Sequence, residues 1–271
     1  MRFAAFGLTG LVVTALAGPV VAQDRRASHC IAIAEADPEL SYVHQAAYGD
    51  PLPDDYTVRL HYIDHSMFVI ETAGGLQAVT DYNGFLGADV VPDVVTMNYA
   101  HSSHWTTRPD PRIPHVLEGW EPGHRVDLGE MFVRNVTTDI RSSYSGAEPD
   151  GNSIFVFEVG GLCIGHLGHL HHEPDDGQYA ALGRLDVVMA PVDGGLTLDL
   201  ESMIDVLQRL ESSVVLPMHW FGQASLERFL DGISGSFDVD VREESSIEVS
   251  LRNLPDRPSV VVLQPQFLTD E

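Results

Sequence analysis

Asp93-Val94-Val95-Thr96-Met97 is a short apolar run, followed closely by Tyr99-Ala100-His101-Ser102-Ser103-His104. The first part reads as a buried strand and the second as a loop that opens where the strand ends. Two imidazoles on one turn, flanked by small serines that let the loop fold around an ion, are a common beginning for a metal site. A lone His-x-x-His spacing arises easily by chance, so its weight depends on what answers it downstream.

The answer comes at two further strand ends. Leu162-Cys163-Ile164-Gly165 leads into His166-Leu167-Gly168-His169-Leu170-His171-His172, where glycines let the backbone turn the side chains inward. Val214-Val215-Leu216-Pro217-Met218 leads into His219, at a position where a core residue would ordinarily be apolar. His101, His104, His166, His169 and His219 are therefore the candidate metal ligands. His171 and His172, followed by Glu173-Pro174-Asp175-Asp176, suit a solvent-exposed loop equally well.

The surrounding texture is that of paired strands. Residues 57–63 alternate like a half-buried strand, 67–72 look like its neighbour, and Gly74-Gly75 turns the chain into 76–80. After His104 a loop runs through Pro109, Pro111 and Pro114. Further strands are expected at 125–128, 131–137, 153–159, 162–165, 186–191, 213–218, near 247–251 and at 259–263. Residues 198–210 carry Met203, Ile204, Val206, Leu207 and Leu210 at helical spacing, with Asp199 and Glu201 suiting the first turn, and 225–230 are also helix-like. Meanders that give way to alternating strands and helices predict an α/β fold of two packed sheets with helices outside.

Residues 1–22 have the form of a secretory signal peptide, with Arg2 ahead of an apolar core over 6–17 and the small residues Val20 and Ala22 before the cut. Residues 23–56 read as a leader packed over one domain spanning 57–271, and the exported chain is expected in the periplasm or outside the cell. The residue directly after the cut is Gln23 rather than a cysteine, against a lipoprotein, and no later segment could span a bilayer. Cys30 and Cys163 could pair in an oxidising compartment, while the apolar run around Cys163 suits a buried free thiol just as well.

Charge excludes several functions. The formal net charge is -25, and all 15 basic residues are arginine. Without lysine there is no Schiff-base chemistry, no lysine-anchored pyridoxal phosphate and no P-loop lysine. So acidic a surface repels nucleic acid and anionic lipid. A small-molecule substrate is the expected partner, and the oligomeric state is not legible. Gly232-Ile233-Ser234-Gly235-Ser236 fails the spacing of a nucleophile elbow, which discounts serine-hydrolase chemistry.

Taken in order, these segments resemble the metallo-β-lactamase superfamily, and within it the branch of ascorbate-phosphate lactonases and many metal-dependent hydrolases. Asp64-His65-Ser66-Met67-Phe68-Val69-Ile70-Glu71-Thr72 is similar to that branch's early histidine-serine strand, and Thr80-Asp81 sits where the family carries an Asp that supports the metal loop. Asn152-Ser153, the 165–169 segment, Ala190-Pro191-Val192 and Pro217-Met218-His219 follow in family order. The resemblance implies a four-layer αβ/βα sandwich with metal-binding loops at one edge of the sheets.

The departures carry chemistry. Against the family's motif, Tyr99 stands for the first histidine, Ser103 for an Asp, and His169 for the Asp that bridges two metals, while His101, His104, His166 and His219 keep ligand positions. Two cations a few ångströms apart repel strongly and need anionic bridges, so one divalent metal is expected, held by three or four of the five histidines. An all-imidazole set suits zinc and also admits copper, iron or nickel. Tyr99 could bind or hydrogen-bond at the site, or merely pack beside it. With Ser103 unable to act as a base, Asp81 or His65 would have to assist catalysis. The expected function is hydrolysis of an ester, lactone or phosphoester, with a non-hydrolytic metal-binding protein and a metal-dependent oxidoreductase as the other readings.

Overall fold

The computed structural model describes residues 28–31, 48–142 and 146–269. The signal-peptide reading of residues 1–22 and most of the leader reading of 23–56 thus fall outside the described residues. The elements run β1 (Val58–Asp64), β2 (Met67–Glu71), β3 (Gln77–Val79), β4 (Val94–Met97), β5 (His115–Glu118), β6 (Arg125–Asp127), β7 (Met131–Ser142), β8 (Gly146–Val159) and β9 (Leu162–His166). They continue with α1 (Asp176–Leu182), β10 (Val187–Pro191), α2 (Leu200–Leu210), β11 (Val214–Met218), α3 (Gln223–Ile233), β12 (Asp238–Val241), β13 (Ser246–Val249) and β14 (Ser259–Val262).

Two sheets result. One has the order β13-β1-β2-β3-β4-β5 and the other β12-β14-β11-β10-β9-β8-β7-β6. Strands β9, β10 and β11 are parallel, so their C-terminal ends reach the same edge. Alternation along β1 sends Val58, Leu60 and Tyr62 into the core between the sheets, where they meet Phe155, Phe157, Met189 and Leu216 from the larger sheet. Each such side chain removed from water contributes ~1.5–3 kcal/mol. The opposite face of β1 holds Arg59, fully buried, which is paired with Glu71 of β2 at 2.9 Å and Glu248 of β13 at 2.7 Å.

The three helices among the described residues lie against the outer face of the larger sheet. Met203, Val206 and Leu207 of α2 and Leu226, Phe229 and Ile233 of α3 join Val188, Val215 and Val260 there. The outer face of the smaller sheet is covered by irregular chain instead, through Tyr82, Leu86, Ile113 and Leu268. The expected α/β sandwich is the fold observed. Cys30 and Cys163 form a disulfide, which pins residues 28–31 to β9 across 133 residues of chain.

Three elements were not expected from the sequence. Strand β5 follows a proline-rich loop, β12 is exposed at a sheet edge, and α1 is only seven residues long. The last is started by a capping box, with Asp175 accepting from the Gln178 amide and Gln178 reaching back to Asp175. The hairpin of β7 and β8 is longer than the apolar stretches alone indicate, because its outer part is polar.

Candidate metal centre

One edge of the sandwich gathers the ends of six strands. His65 lies in the β1–β2 turn, Asp81 follows β3, His101 and His104 follow β4, and His169, Asp193 and His219 follow β9, β10 and β11. His65, Asp81 and His219 all have positive φ, at 52°, 46° and 56°. Such backbone is sparsely populated by residues other than glycine and is found disproportionately where function holds it. The first and last of these turns are joined, since the His219 amide donates to the His65 carbonyl at 2.7 Å, and the Tyr62 hydroxyl donates to the same carbonyl at 2.8 Å.

These turns bring together four imidazoles. Ligand nitrogens of His65, His101, His104 and His219 all lie within 4.8 Å of one another. The Nε2 atoms of His65, His104 and His219 are buried and have no hydrogen-bond partner. A buried polar atom left unpaired costs about 1–3 kcal/mol, so three in one spot need a common partner.

What holds the rings explains where those nitrogens face. His104 Nδ1 donates to Asp81 Oδ2 at 2.5 Å, with Ser66 Oγ 2.9 Å away. His219 Nδ1 donates to Asp193 Oδ2 at 2.9 Å. With Nδ1 committed to a carboxylate, each ring turns its Nε2 lone pair toward the cluster. Asp81 is fully buried and its other oxygen accepts from Asn98 Nδ2 at 2.8 Å. Asp81, expected to assist catalysis, is therefore occupied in positioning His104. Burial acts to raise its carboxyl, but the His166 and His104 imidazoles and the hydrogen bonds from His104 and Asn98 outweigh it and hold the group below the usual range. Asp193 behaves alike: burial opposes ionisation, and donors from His219, Thr197 and the Gly195 and Thr197 amides keep it a carboxylate.

The remaining imidazoles divide into two groups. His101 is exposed and its Nε2 lies 3.2 Å from His169 Nε2, while His169 Nδ1 lies 2.6 Å from His171 Nε2. Burial and the neighbouring imidazoles push His65 down to about 3 and His101 to about 4, and burial lowers His169 as well. A neutral ring is the form in which imidazole can bind a cation.

His166 stands apart from the other expected ligands. Its Nε2 donates to the Ser66 carbonyl at 2.8 Å and its Nδ1 accepts from the Gly168 amide at 3.2 Å, so neither nitrogen is left for an ion. Gly168 is in the left-handed region at φ 62°, and a Cβ there would sit 2.3 Å from Asn152 Oδ1. That close approach lets Asn152 accept from the His169 amide at 2.7 Å and so sets the loop. Tyr99 also stands off the cluster as a site residue. Its ring is 44% exposed and packs on Trp105 and Trp120, with centroids 5.5 Å from each. Phe221, 64% exposed, lies on the other side, 5.3 Å from His65 and 5.0 Å from His219.

Of three further contributors, two were not expected from the sequence and one was expected in a different part. His65 was given only a supporting part, yet its Nε2 faces the cluster. Asp193 was passed over, although Asp-Gly-Gly after a buried strand is a turn signal with a side-chain acceptor at its head. Asn98, fully buried, spans the two sheets by donating to Asp81 and accepting from the Ser153 amide at 2.7 Å. The donor set fits a borderline divalent ion, with no thiolate available because both cysteines are in the bridge.

Comparison with known proteins gives the family and the fold. Residues 59–219 match the family model of the beta-lactamase superfamily domain. A UPF0173 metal-dependent hydrolase of Thermoplasma acidophilum is 24% identical over 186 residues, 59% of this chain and 83% of that protein. One from Nanoarchaeum equitans is 24% identical over 188 residues, 60% of this chain and 84% of its own. Among solved structures, a proposed Zn-dependent hydrolase of the metallo-beta-lactamase superfamily from Thermotoga maritima aligns with TM-score 0.58 and 26% identity, over 77% of this chain and all of the other. A metallo hydrolase from Ignicoccus hospitalis shares the fold, with TM-score 0.54 and 16% identity over 78% of this chain and 97% of its own.

Proposed function

The chain belongs to the beta-lactamase superfamily, and from that premise we propose that it is a metal-dependent hydrolase holding one divalent transition metal at the imidazole cluster. The observation that carries this reading is the convergence of three buried, unpartnered Nε2 atoms from His65, His104 and His219. These three would hold the ion, and exposed His101 would face it on the solvent side. Bound there, a divalent ion supplies Lewis acidity and a water nucleophile near neutral pH. The chain's own residues do the rest: Asp81 and Asp193 orient rings, and exposed Phe221, beside His65 and His219, offers aromatic surface that suits the apolar part of a small substrate.

One ion rather than two is favoured because the carboxylates nearest the cluster, Asp81 and Asp193, are spent on Nδ1 atoms and bridge nothing. Zinc suits the set best, and copper, iron and nickel also accept imidazole. The substrate class we propose is an ester, lactone or phosphoester. Export to the periplasm or beyond is supported by the signal-like sequence of residues 1–22 and by the disulfide, which persists in oxidising compartments. A redox role for Tyr99 loses its footing with the ring packed on tryptophans. A scavenging role loses much of its own, since His171 is engaged by its neighbours.

The test is metal analysis of untagged protein with turnover of p-nitrophenyl acetate and bis-p-nitrophenyl phosphate. The expected result is one equivalent of metal and hydrolysis of at least one probe, both lost in His104→Ala and His219→Ala. Metal-replete protein that binds no ion would overturn the reading.

A further inference from the structure

The imidazoles of His171, His169 and His101 form a chain whose direction is fixed at one end. The Arg141 backbone amide can only donate, and it lies 2.5 Å from His171 Nδ1. That nitrogen therefore accepts, and a neutral His171 carries its hydrogen on Nε2. His171 Nε2 is 2.6 Å from His169 Nδ1, which accepts in turn and leaves the His169 hydrogen on Nε2. His169 Nε2 is 3.2 Å from His101 Nε2, so the His101 hydrogen falls on Nδ1, 2.7 Å from Ser103 Oγ. Every contact then has one hydrogen and one acceptor.

The reverse direction fails. Were His169 to offer a lone pair from Nε2, its hydrogen would sit on Nδ1 and face His171 Nε2. The His171 hydrogen would then move to Nδ1 and confront the amide hydrogen of Arg141. Burial favours the neutral form of His169, and burial together with Arg141 and His172 pushes His171 down to about 4.

We propose that His169 is a hydrogen-bond donor of the site rather than a metal ligand, presenting Nε2–H to the substrate oxygen that gains negative charge during hydrolysis. The proposal rests on the hydrolase reading above. As the substrate oxygen arrives it replaces His101 Nε2 as acceptor, which frees the His101 lone pair to face the other three rings. Water's oxygen joins the acyl or phosphoryl centre, the bond to the leaving oxygen breaks, and water's two hydrogens end on the products. His169 keeps its own hydrogen throughout. A fixed donor of this kind stabilises developing charge without reorganisation. His171 is then a positioning residue, and so is the amide of Arg141.

Long-range 1H–15N correlation on metal-free and zinc-loaded protein reads the tautomers directly. His169 should show a protonated Nε2 and an unprotonated Nδ1 in both states, and His171→Ala should shift it toward the Nδ1–H form. An unprotonated, zinc-perturbed Nε2 on His169 overturns the proposal. Zinc affinity by chelator competition separates the roles again: His169→Gln should stay within about threefold of wild type, whereas His104→Ala falls by about a hundredfold or more. Equal losses in the two variants would make His169 a ligand. With p-nitrophenyl acetate, His169→Ala should lower kcat by about 10²–10³-fold with little change in KM, and His169→Gln should recover part of it. Wild-type protein that turns over neither probe would sink the hydrolase reading and the donor's task with it, whatever tautomer is found.

Discussion

At the scale of single residues, Asp193 shows how a side chain that touches no ion can govern one. It accepts from the Leu196 amide at 2.5 Å and the Thr197 amide at 3.1 Å as well as from His219, so its carboxylate is fixed before the ring arrives. Asp193→Ala should leave the fold intact and lower zinc affinity about 10–100-fold, measured by chelator competition. His166→Ala should do the opposite: the metal content stays at wild-type level, while the Ser66 carbonyl loses one of its two buried donors, keeping only the Thr80 hydroxyl, and stability falls by about 1–3 kcal/mol in urea unfolding. A metal-free His166→Ala protein would restore that residue to the ligand set. The contrast shows what was legible. His101, His104, His169 and His219 could be picked out because imidazoles at the ends of apolar runs are rare as core residues. His166 has the same local sequence and a different task, because only the tertiary structure shows that the Ser66 carbonyl and Gly168 amide occupy its two nitrogens. His65 was legible only as an assisting residue, and Asp193 not as a site residue at all, since the turns that aim them are far apart in the chain.

At the scale of elements, the strands with regular alternation or unbroken apolar runs were legible, and those defined by their neighbours were not. Strand β5 carries a half-buried pattern after three prolines and exists because β4 offers it a parallel edge. Strand β12, exposed along its length, is likewise held by pairing with β14. Helix α1 is too short to show periodicity, so its start signal mattered more than its face. Asp175→Ala should cost about 1 kcal/mol through loss of that cap, with little effect on metal content. The disulfide, which the sequence left open, ties β9 to a segment 133 residues earlier. The Cys30→Ser, Cys163→Ser double variant should be less stable by about 2–4 kcal/mol in equilibrium unfolding, because its unfolded chain regains the freedom that the bridge removes. Equal stability with and without the bridge would show that the bridge itself adds nothing, with 28–31 held by the hydrogen bonds of Ser28, His29 and the Cys30 carbonyl.

For the whole molecule, proton uptake sets the acid limit. His65, His101 and His171 sit at about 3, 4 and 4 in the folded chain, against 6.5 when unfolded. The unfolded state therefore binds more protons over that interval, so stability is complete above about pH 6.5 and falls as pH drops toward about 3–4. Urea midpoints of EDTA-treated protein between pH 7.5 and 4 should fall steadily by about this linkage, and a midpoint that rises on acidification would contradict it. The net charge of -25 adds self-repulsion, which salt screens. The contact between the Arg141 amide and His171 has a consequence of a different kind. Every residue except proline carries that amide, so nearly any codon change at position 141 leaves the instruction to His171 in place. The direction of the imidazole chain thus starts from the path of the β7–β8 hairpin, and with the histidines in place a change of side chain at position 141 leaves it as it is unless it moves the backbone.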